Sequence, residues 1–338
     1  MNPLSSAKIF KIAAELDLNG ALSPSGAIMQ YCEQRVRGFL ALLPDCSTPA
    51  ELLDISAGML KTKFECIRSD EEANALAQEF CRRGETGFAT LASELGRDTY
   101  GITFRLLNAA AHERRFVSVI DCRGDKGLRS YFTKWHELGH LLILTDAERN
   151  SFRRSHTAMA YKEPEEVLVD MIAGHLGFFP DFLKPELVNP LSLSEVNRIR
   201  GQLFPEASFA SAAIACVRLH PAASLLVEAK MSLTEKQRGM HTQNAFDFFG
   251  GHDPKLRAVT VIRNDQARIQ KVNVPRNFRI PERSVIHNVH ITGIDSLTGV
   301  EDLEWWESSD GKRLAPQKVI VEARKSYEGV LAILRPAE

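Results

Sequence analysis

The hydrophobic pattern changes period several times along the chain. Between residues 5 and 43 the apolar positions recur at helical spacing, with Ile28, Tyr31, Cys32, Val36, Phe39, Leu40 and Leu43 in one stripe and Ser23-Pro24 as its start. Thr48 to Leu60 opens on Thr-Pro and reads as another helix. Three short β-like runs follow, Lys63 to Arg68, Tyr100 to Leu107 and Arg115 to Asp121, interrupted by a helical, acid-bearing insertion at 70 to 96. A small sheet is therefore expected ahead of an apolar stretch in which Phe132, Trp135, Leu138, Leu141, Leu142 and Leu144 recur at three- and four-residue spacings without proline. That stretch predicts a mostly buried helix. Pro164-Glu165-Glu166 starts a further one, since proline and acids are both favoured in a first helical turn.

Beyond Pro180 the character shifts. Ser192 to Leu219 reads as two helices around Phe204-Pro205, and Ser224 to Met231 as a strand. From Leu256 onward the signal is β-rich, in Ala258 to Arg263, Val285 to Thr292, Val319 to Ala323 and Val330 to Leu334, separated by Pro, Gly and Asn/Asp turns. The pattern predicts an α+β protein divided at 1–185, 186–222 and 223–338. The middle piece is a helical linker or a helix-turn-helix-like segment, with few basic residues to favour DNA binding.

Composition adds limits. The chain has 338 residues, 44% hydrophobic and 25% charged, as expected of a globular protein of two or three domains. No run reaches membrane-span length and the N-terminus has no signal-peptide pattern, which predicts a cytoplasmic protein without a membrane partner. The six cysteines lack C-x-x-C spacing, which argues against a disulfide framework or a cysteine zinc knot. A net charge of −1 gives no global case for nucleic-acid binding. Locally, residues 253–283 carry eight Lys/Arg against three Asp/Glu, which suits a solvated face or a phosphate-binding groove about equally.

The candidate chemistry sits on the apolar helix. Residues 136–140 read His-Glu-Leu-Gly-His, and positions i and i+4 share a helix face, so His136 and His140 can close on one Zn²⁺ with Glu137 beside the open coordination position. The competing reading is two core histidines satisfied by carbonyls. A catalytic zinc usually takes a third protein ligand. Glu166 is favoured because Asp170 stands four residues on, where it can accept from a ligating imidazole; Glu165 competes for the same role. Glu137 is the expected general base. His156 and His175, ahead of Tyr161 and Tyr131, are candidate donors to the oxyanion. Cys122 ends the strand expected to border the cleft and is a candidate inhibitory fourth ligand.

The run Arg129-Ser-Tyr-Phe-Thr-Lys-Trp-His-Glu-Leu-Gly-His resembles the R-x-x-F-T-x-x-H-E-L-G-H signature of the ImmA/IrrE metallopeptidases. Glu166-x-x-x-Asp170-x-Ile-Ala is similar to their E-x-x-A-N/D-x-F-A helix, with Val169 and Ile172 where that helix usually carries Ala and Phe. The resemblance spans roughly residues 45 to 180. It implies a zincin-like, gluzincin-type N-terminal domain that cleaves a helix-turn-helix repressor to switch on a stress or anti-phage operon. Position and element order imply a GAF-like sensor in the β-rich C-terminal part. The family's link to DNA damage makes single-stranded DNA a candidate activator. A zinc-binding regulator that sequesters a repressor without cutting it is the alternative reading, and a protease of broad specificity is a further one.

Overall fold

A computed structural model describes residues 3–43, 45–96, 98–109, 114–144, 163–188, 190–233, 253–308 and 311–337, and the backbone of 151–155. The chain divides into two compact units, residues 1–182 with 203–208, and residues 183–202 with 209–338.

The first unit begins with three helices, α1 (Ala7–Glu15), α2 (Pro24–Leu42) and α3 (Pro49–Met59). Local chemistry fixes their starts. Ser23 caps α2, and Thr48 with Glu51 closes a capping box on α3, each followed by proline in the first turn. Strand β1 (Thr62–Ile67) then leads to α4 (Asp70–Arg82), short α5 (Leu91–Glu94), β2 (Thr99–Arg105) and β3 (Phe116–Asp121). Helix α6 (Ser130–Leu142), β4 (Ser151–Ser155) and α7 (Pro164–Leu176) follow, and the short α8 (Pro180–Leu183) lies where the first unit ends.

The sheet order is β1-β3-β2-β4, with β1 parallel to β3 and the other neighbours antiparallel. Strand alternation gives its two faces different jobs. Ile67, Val117, Val119, Ile102 and Phe104 face α4 and α5, where they pack with Ala73, Phe80, Phe88 and Leu91 in an apolar core. The opposite face carries Thr62, Ser118, Thr103 and Gly101, and α6 lies against β2 and β3. An apolar layer thus supports the sheet on one side, and on the other hydroxyls interspersed with Phe64, Phe116 and Ile120 share the face toward the helix.

Asp121 fastens the end of β3 to the approach of α6. Its buried carboxylate accepts from Arg123 Nη2 at 2.7 Å and Lys126 Nζ at 2.7 Å. Those cations also donate to Leu95 O, Gly96 O and Thr99 O. Burial favours the neutral acid, but Arg123 and Lys126 outweigh it and hold the carboxyl below the ordinary aspartate range. The stabilisation is therefore present above the unfolded value near pH 4 and is lost as pH falls through the depressed folded value. Asp121→Asn is expected to cost about 2–3 kcal/mol in urea unfolding at pH 7, less than a fully enclosed pair because both cations reach water. An unchanged midpoint would remove Asp121 from this role.

The second unit holds α9 (Leu193–Leu203), α10 (Phe209–Leu219) and a five-stranded antiparallel sheet. Its strands are β5 (Leu225–Ser232), β6 (Lys255–Arg263), β7 (Ser296–Asp302), β8 (Lys318–Ser326) and β9 (Gly329–Pro336), in the order β6-β5-β9-β8-β7. Helix α10 packs against β5 and β6. Two short helices, α11 (Asp265–Ile269) and α12 (Val285–Thr292), complete the unit. Leu225, Val227, Ala258, Val272, Ile286, Val289, Trp306, Val321 and Ala332 are among its core residues.

The segment Val285 to Thr292, expected as a strand, is a helix. Its β-branched residues favour a strand locally, but Ser284 caps the first turn and Gly293 ends the last at φ 69°, the left-handed conformation that glycine adopts freely. Ile286 and Val289, three apart, then share the buried face. Glu301 secures the start of α12, accepting from Ser284 Oγ at 2.8 Å and Val285 N at 2.6 Å. Strands β4 and β7 were not expected from the sequence. Among the described residues no helix is long and apolar enough to cross a membrane.

Candidate metal centre

Helix α6 is buried along most of its length, and His136, Glu137 and His140 are essentially inaccessible. Gly139 explains how α7 comes close enough to complete the site. A Cβ there would lie 2.9 Å from Val169 Cγ1, so glycine permits an approach that alanine would obstruct. The position gives up about 1 kcal/mol of helix propensity for that contact.

Across this interface the imidazoles of His136 and His140 meet the carboxylate of Glu166. His136 Nε2 lies 3.2 Å from Glu166 Oε2, and His140 Nε2 lies 3.1 Å from Glu166 Oε1. One ligand atom from each residue falls within 4.8 Å of the others, and this is the one group of three or more such residues among those described. His136, His140 and Glu166 together could hold a metal ion.

The outer nitrogens of both rings are also on carboxylates. His136 Nδ1 is 2.9 Å from Asp170 Oδ1, and His140 Nδ1 is 3.2 Å from Glu165 Oε1. A carboxylate at Nδ1 favours the proton there and presents the Nε2 lone pair inward, the orientation a metal requires. Glu165, weighed as a competing ligand, therefore orients His140, and Lys8 Nζ steadies it from 3.0 Å. The two adjacent acids of α7 divide the work. Asp170→Asn and Glu165→Gln are each expected to weaken zinc binding about 10–100-fold while retaining all three ligands, measured by competition with a chromophoric chelator. Unchanged affinity in both would show that these carboxylates do not orient the rings.

The electrostatics favour a cation. Burial acts to lower the His140 pKa, but Glu165 and Glu166 outweigh it and raise it to about 9. Burial acts to raise the Glu166 pKa, but His136 and His140 outweigh it and pull it far below the ordinary range. A proton on His140 balances the Glu166 carboxylate in the metal-free protein, and a divalent ion would replace it. His136 Nε2, Glu166 Oε2 and Glu137 Oε1 are buried without hydrogen bonds, as expected of atoms directed toward an ion and its water. The residues present fit a zinc ion by ligand type as well.

Glu137 is held from behind. Thr103 Oγ1 donates to its Oε2 at 2.7 Å, Ser118 Oγ lies 2.7 Å from Thr103 Oγ1, and Thr62 Oγ1 lies 3.2 Å from Ser118 Oγ. This hydroxyl chain crosses three strands. At Gly101 a Cβ would come within 2.8 Å of Glu137 Oε1 and 2.7 Å of Thr133 Cγ2, so the strand must be bare where the carboxylate passes. Burial raises the Glu137 pKa, with His136 and His140 acting against it. Sequence reading did not find Thr103, Ser118 or Gly101. Their only local signal is a polar or missing side chain within otherwise apolar strands.

Other expected participants lie elsewhere. Cys122 does not belong to the ligand group, so the fourth-ligand role has no geometric support. His175 Nε2 is 2.8 Å from Glu33 Oε2 of α2, and Arg37 of the same helix also pairs with Glu33, which places the ring in a separate ion-pair network. The oxyanion role expected of His175 has no support from that placement. Tyr131 donates its hydroxyl to Gly177 O and is buried. His156 and Tyr161 lie outside the described residues. In the basic run, Arg257 is buried, Arg268 and Arg279 pair with Asp265 and Glu282, and Arg283 lies over Trp305. That leaves less charge for a phosphate backbone than the sequence suggests.

No protein-family model matches the chain, and no curated protein aligns with it significantly. The functional reading therefore rests on the site itself.

Proposed function

We propose that the chain is a zinc-dependent endopeptidase of the ImmA/IrrE kind, with His136, His140 and Glu166 as zinc ligands and Glu137 as general base. The observation that carries this is the convergence of both Nε2 atoms on Glu166 while Asp170 and Glu165 hold both Nδ1 atoms. A core histidine pair satisfied by carbonyls would have no need of three carboxylates.

A zinc ion held there supplies a Lewis acid that polarises the scissile carbonyl and lowers the pKa of water. Glu137 takes the proton from the attacking water and later delivers it to the nitrogen of the leaving amine. Thr103 fixes one oxygen of that carboxylate and leaves Oε1 for the proton, which spares the base a search for its working orientation. Burial of His136, Glu137 and His140, with only Glu166 partly open to solvent, limits competition from bulk water. Strand β4 forms the edge of the sheet beside α6, where an extended substrate backbone can add as a further strand.

The substrate we propose is a helix-turn-helix repressor whose cleavage derepresses a stress or anti-phage operon, with a DNA-damage signal such as single-stranded DNA as activator. The second unit, a single antiparallel sheet with helices and loops packed on it, is the proposed GAF-like sensor. The test is co-expression with a helix-turn-helix protein encoded in the same operon, should the operon hold one, or otherwise with a panel of helix-turn-helix repressors, followed by a purified reaction with and without single-stranded DNA. Discrete fragments in the wild type and none in Glu137→Gln support the reading. An intact partner in every lane despite bound zinc overturns it and favours sequestration.

A further inference from the structure

The five-stranded sheet of the second unit has one edge covered and one bare. Along the start of β6, the segment 276–280 adds itself to the outer side: Ala258 N donates to Phe278 O at 2.9 Å, Asn277 N to Ala258 O at 2.8 Å and Ile280 N to Leu256 O at 2.9 Å. β7 ends the sheet on the other side, beside β8. Lys325 N donates to Asp295 O and Leu303 N to Gln317 O, each at 2.9 Å, and both pairs continue the register of β7 with β8. Bonded pairs alternate along an antiparallel ladder. The odd-numbered residues of β7 therefore bond to β8, and the N–H and C=O groups of Ser296, Thr298, Val300 and Asp302 point away from the sheet. No turn or loop among the described residues bonds to those groups. Ser296, Thr298 and Val300 are exposed, and β7 contains neither the lysine nor the proline that commonly guards an edge.

We propose that β7 pairs antiparallel with β7 of a second copy of the chain, joining the two five-stranded sheets across a twofold axis at Gly299. Self-pairing requires an axis that carries outward groups onto outward groups. The axis at Gly299 does so over the whole strand: Ser296 meets Asp302 of the other copy, and Thr298 meets Val300, both as hydrogen-bonded pairs. The side chains suit that register. Thr298 and Val300 form β-branched cross-strand pairs on both sides of the axis, and Val300 is otherwise left 60% exposed. No acid stands opposite an acid, because Asp302 faces Ser296 and Glu301 faces Leu297. Arg324, the β8 partner of Ser296, lies one strand beyond it on the sheet face that the Asp302 side chain of the other copy shares. This self-matching of register and charge selects a second copy over an unrelated strand. Two seven-residue strands make a small interface, so a weak dimer is expected. The proposal does not depend on the metal site or on peptidase activity.

The test follows the mass of the full chain by sedimentation from dilute solution up to about 500 µM, a range that captures weak dimers. The average mass should rise toward two chains. Thr298→Pro and Val300→Pro each remove an outward N–H and no bond to β8, so each should keep the wild-type circular dichroism and weaken association by about tenfold or more. Residue-resolved hydrogen exchange of the wild type reads the same edge without any substitution. The amides of Thr298 and Val300 should exchange about tenfold or more slowly in the concentrated sample than in the dilute one, while that of Ala258, already bonded to Phe278, stays unchanged. A chain that is monomeric at every concentration overturns the proposal. So does a dimer that both proline variants retain, or one in which the Thr298 and Val300 amides exchange as fast as in the monomer.

Discussion

Glu137→Gln is expected to slow peptide cleavage about 10²–10⁴-fold while bound zinc stays at the wild-type level, the range that general-base catalysis contributes. The substitution is close to isosteric. Thr103 can still donate to an amide oxygen at the position of Oε2, so the side chain keeps its place against β2. What disappears is the basicity at Oε1, the atom without a hydrogen bond. Zinc should remain because His136, His140 and Glu166 are untouched. Metal content and cleavage rate must be read on the same samples. Full activity with zinc in place would mean that another group takes the proton.

Glu166→Ala is expected to have the larger effect on binding. It removes the one carboxylate that both imidazoles face, at 3.2 Å and 3.1 Å. The loss should exceed the about 10–100-fold expected for the orienting partners Asp170 and Glu165. Thermal unfolding gives a readout free of any substrate. At free zinc about 100 times its dissociation constant, binding to the native state adds about 2.7 kcal/mol, or about 5–10 °C for a unit of this size. The wild type should show that shift, and Glu166→Ala should show almost none at the same zinc concentration. A full shift in the variant would exclude Glu166 as a ligand. Without added zinc, the variant tests only the fold.

Legibility in the sequence followed the range of the interaction. The pairing of His136 with His140, and of Glu166 with Asp170, is a matter of one helical turn, so spacing alone reveals it. The choice between Glu165 and Glu166 is not local. Both sit in the first turn of α7, and only packing against α6 decides which carboxylate meets Nε2 and which meets Nδ1. Thr103 and Glu137 are separated by 34 positions and meet because β2 lies under α6. Nothing in the local pattern encodes that encounter.

Among the elements, β1, β2 and β3 were readable because their apolar faces are buried. β4 (Ser-Phe-Arg-Arg-Ser) and β7 (Ser-Leu-Thr-Gly-Val-Glu-Asp) are edge strands with many polar residues, and edges give a weak alternation signal. At Val285–Thr292 the propensity of individual residues competed with the caps at its two ends, and the caps prevailed.

Whether the two histidines and Glu166 hold a zinc ion is decided by zinc K-edge absorption of the reconstituted full chain. One zinc per chain is expected, in a shell of nitrogen and oxygen at about 2.0–2.2 Å, with the outer scattering of two imidazoles and no sulfur near 2.3 Å. A sulfur scatterer would bring a cysteine into the site and contradict the ligand set, and a shell without imidazole would contradict the metal centre altogether.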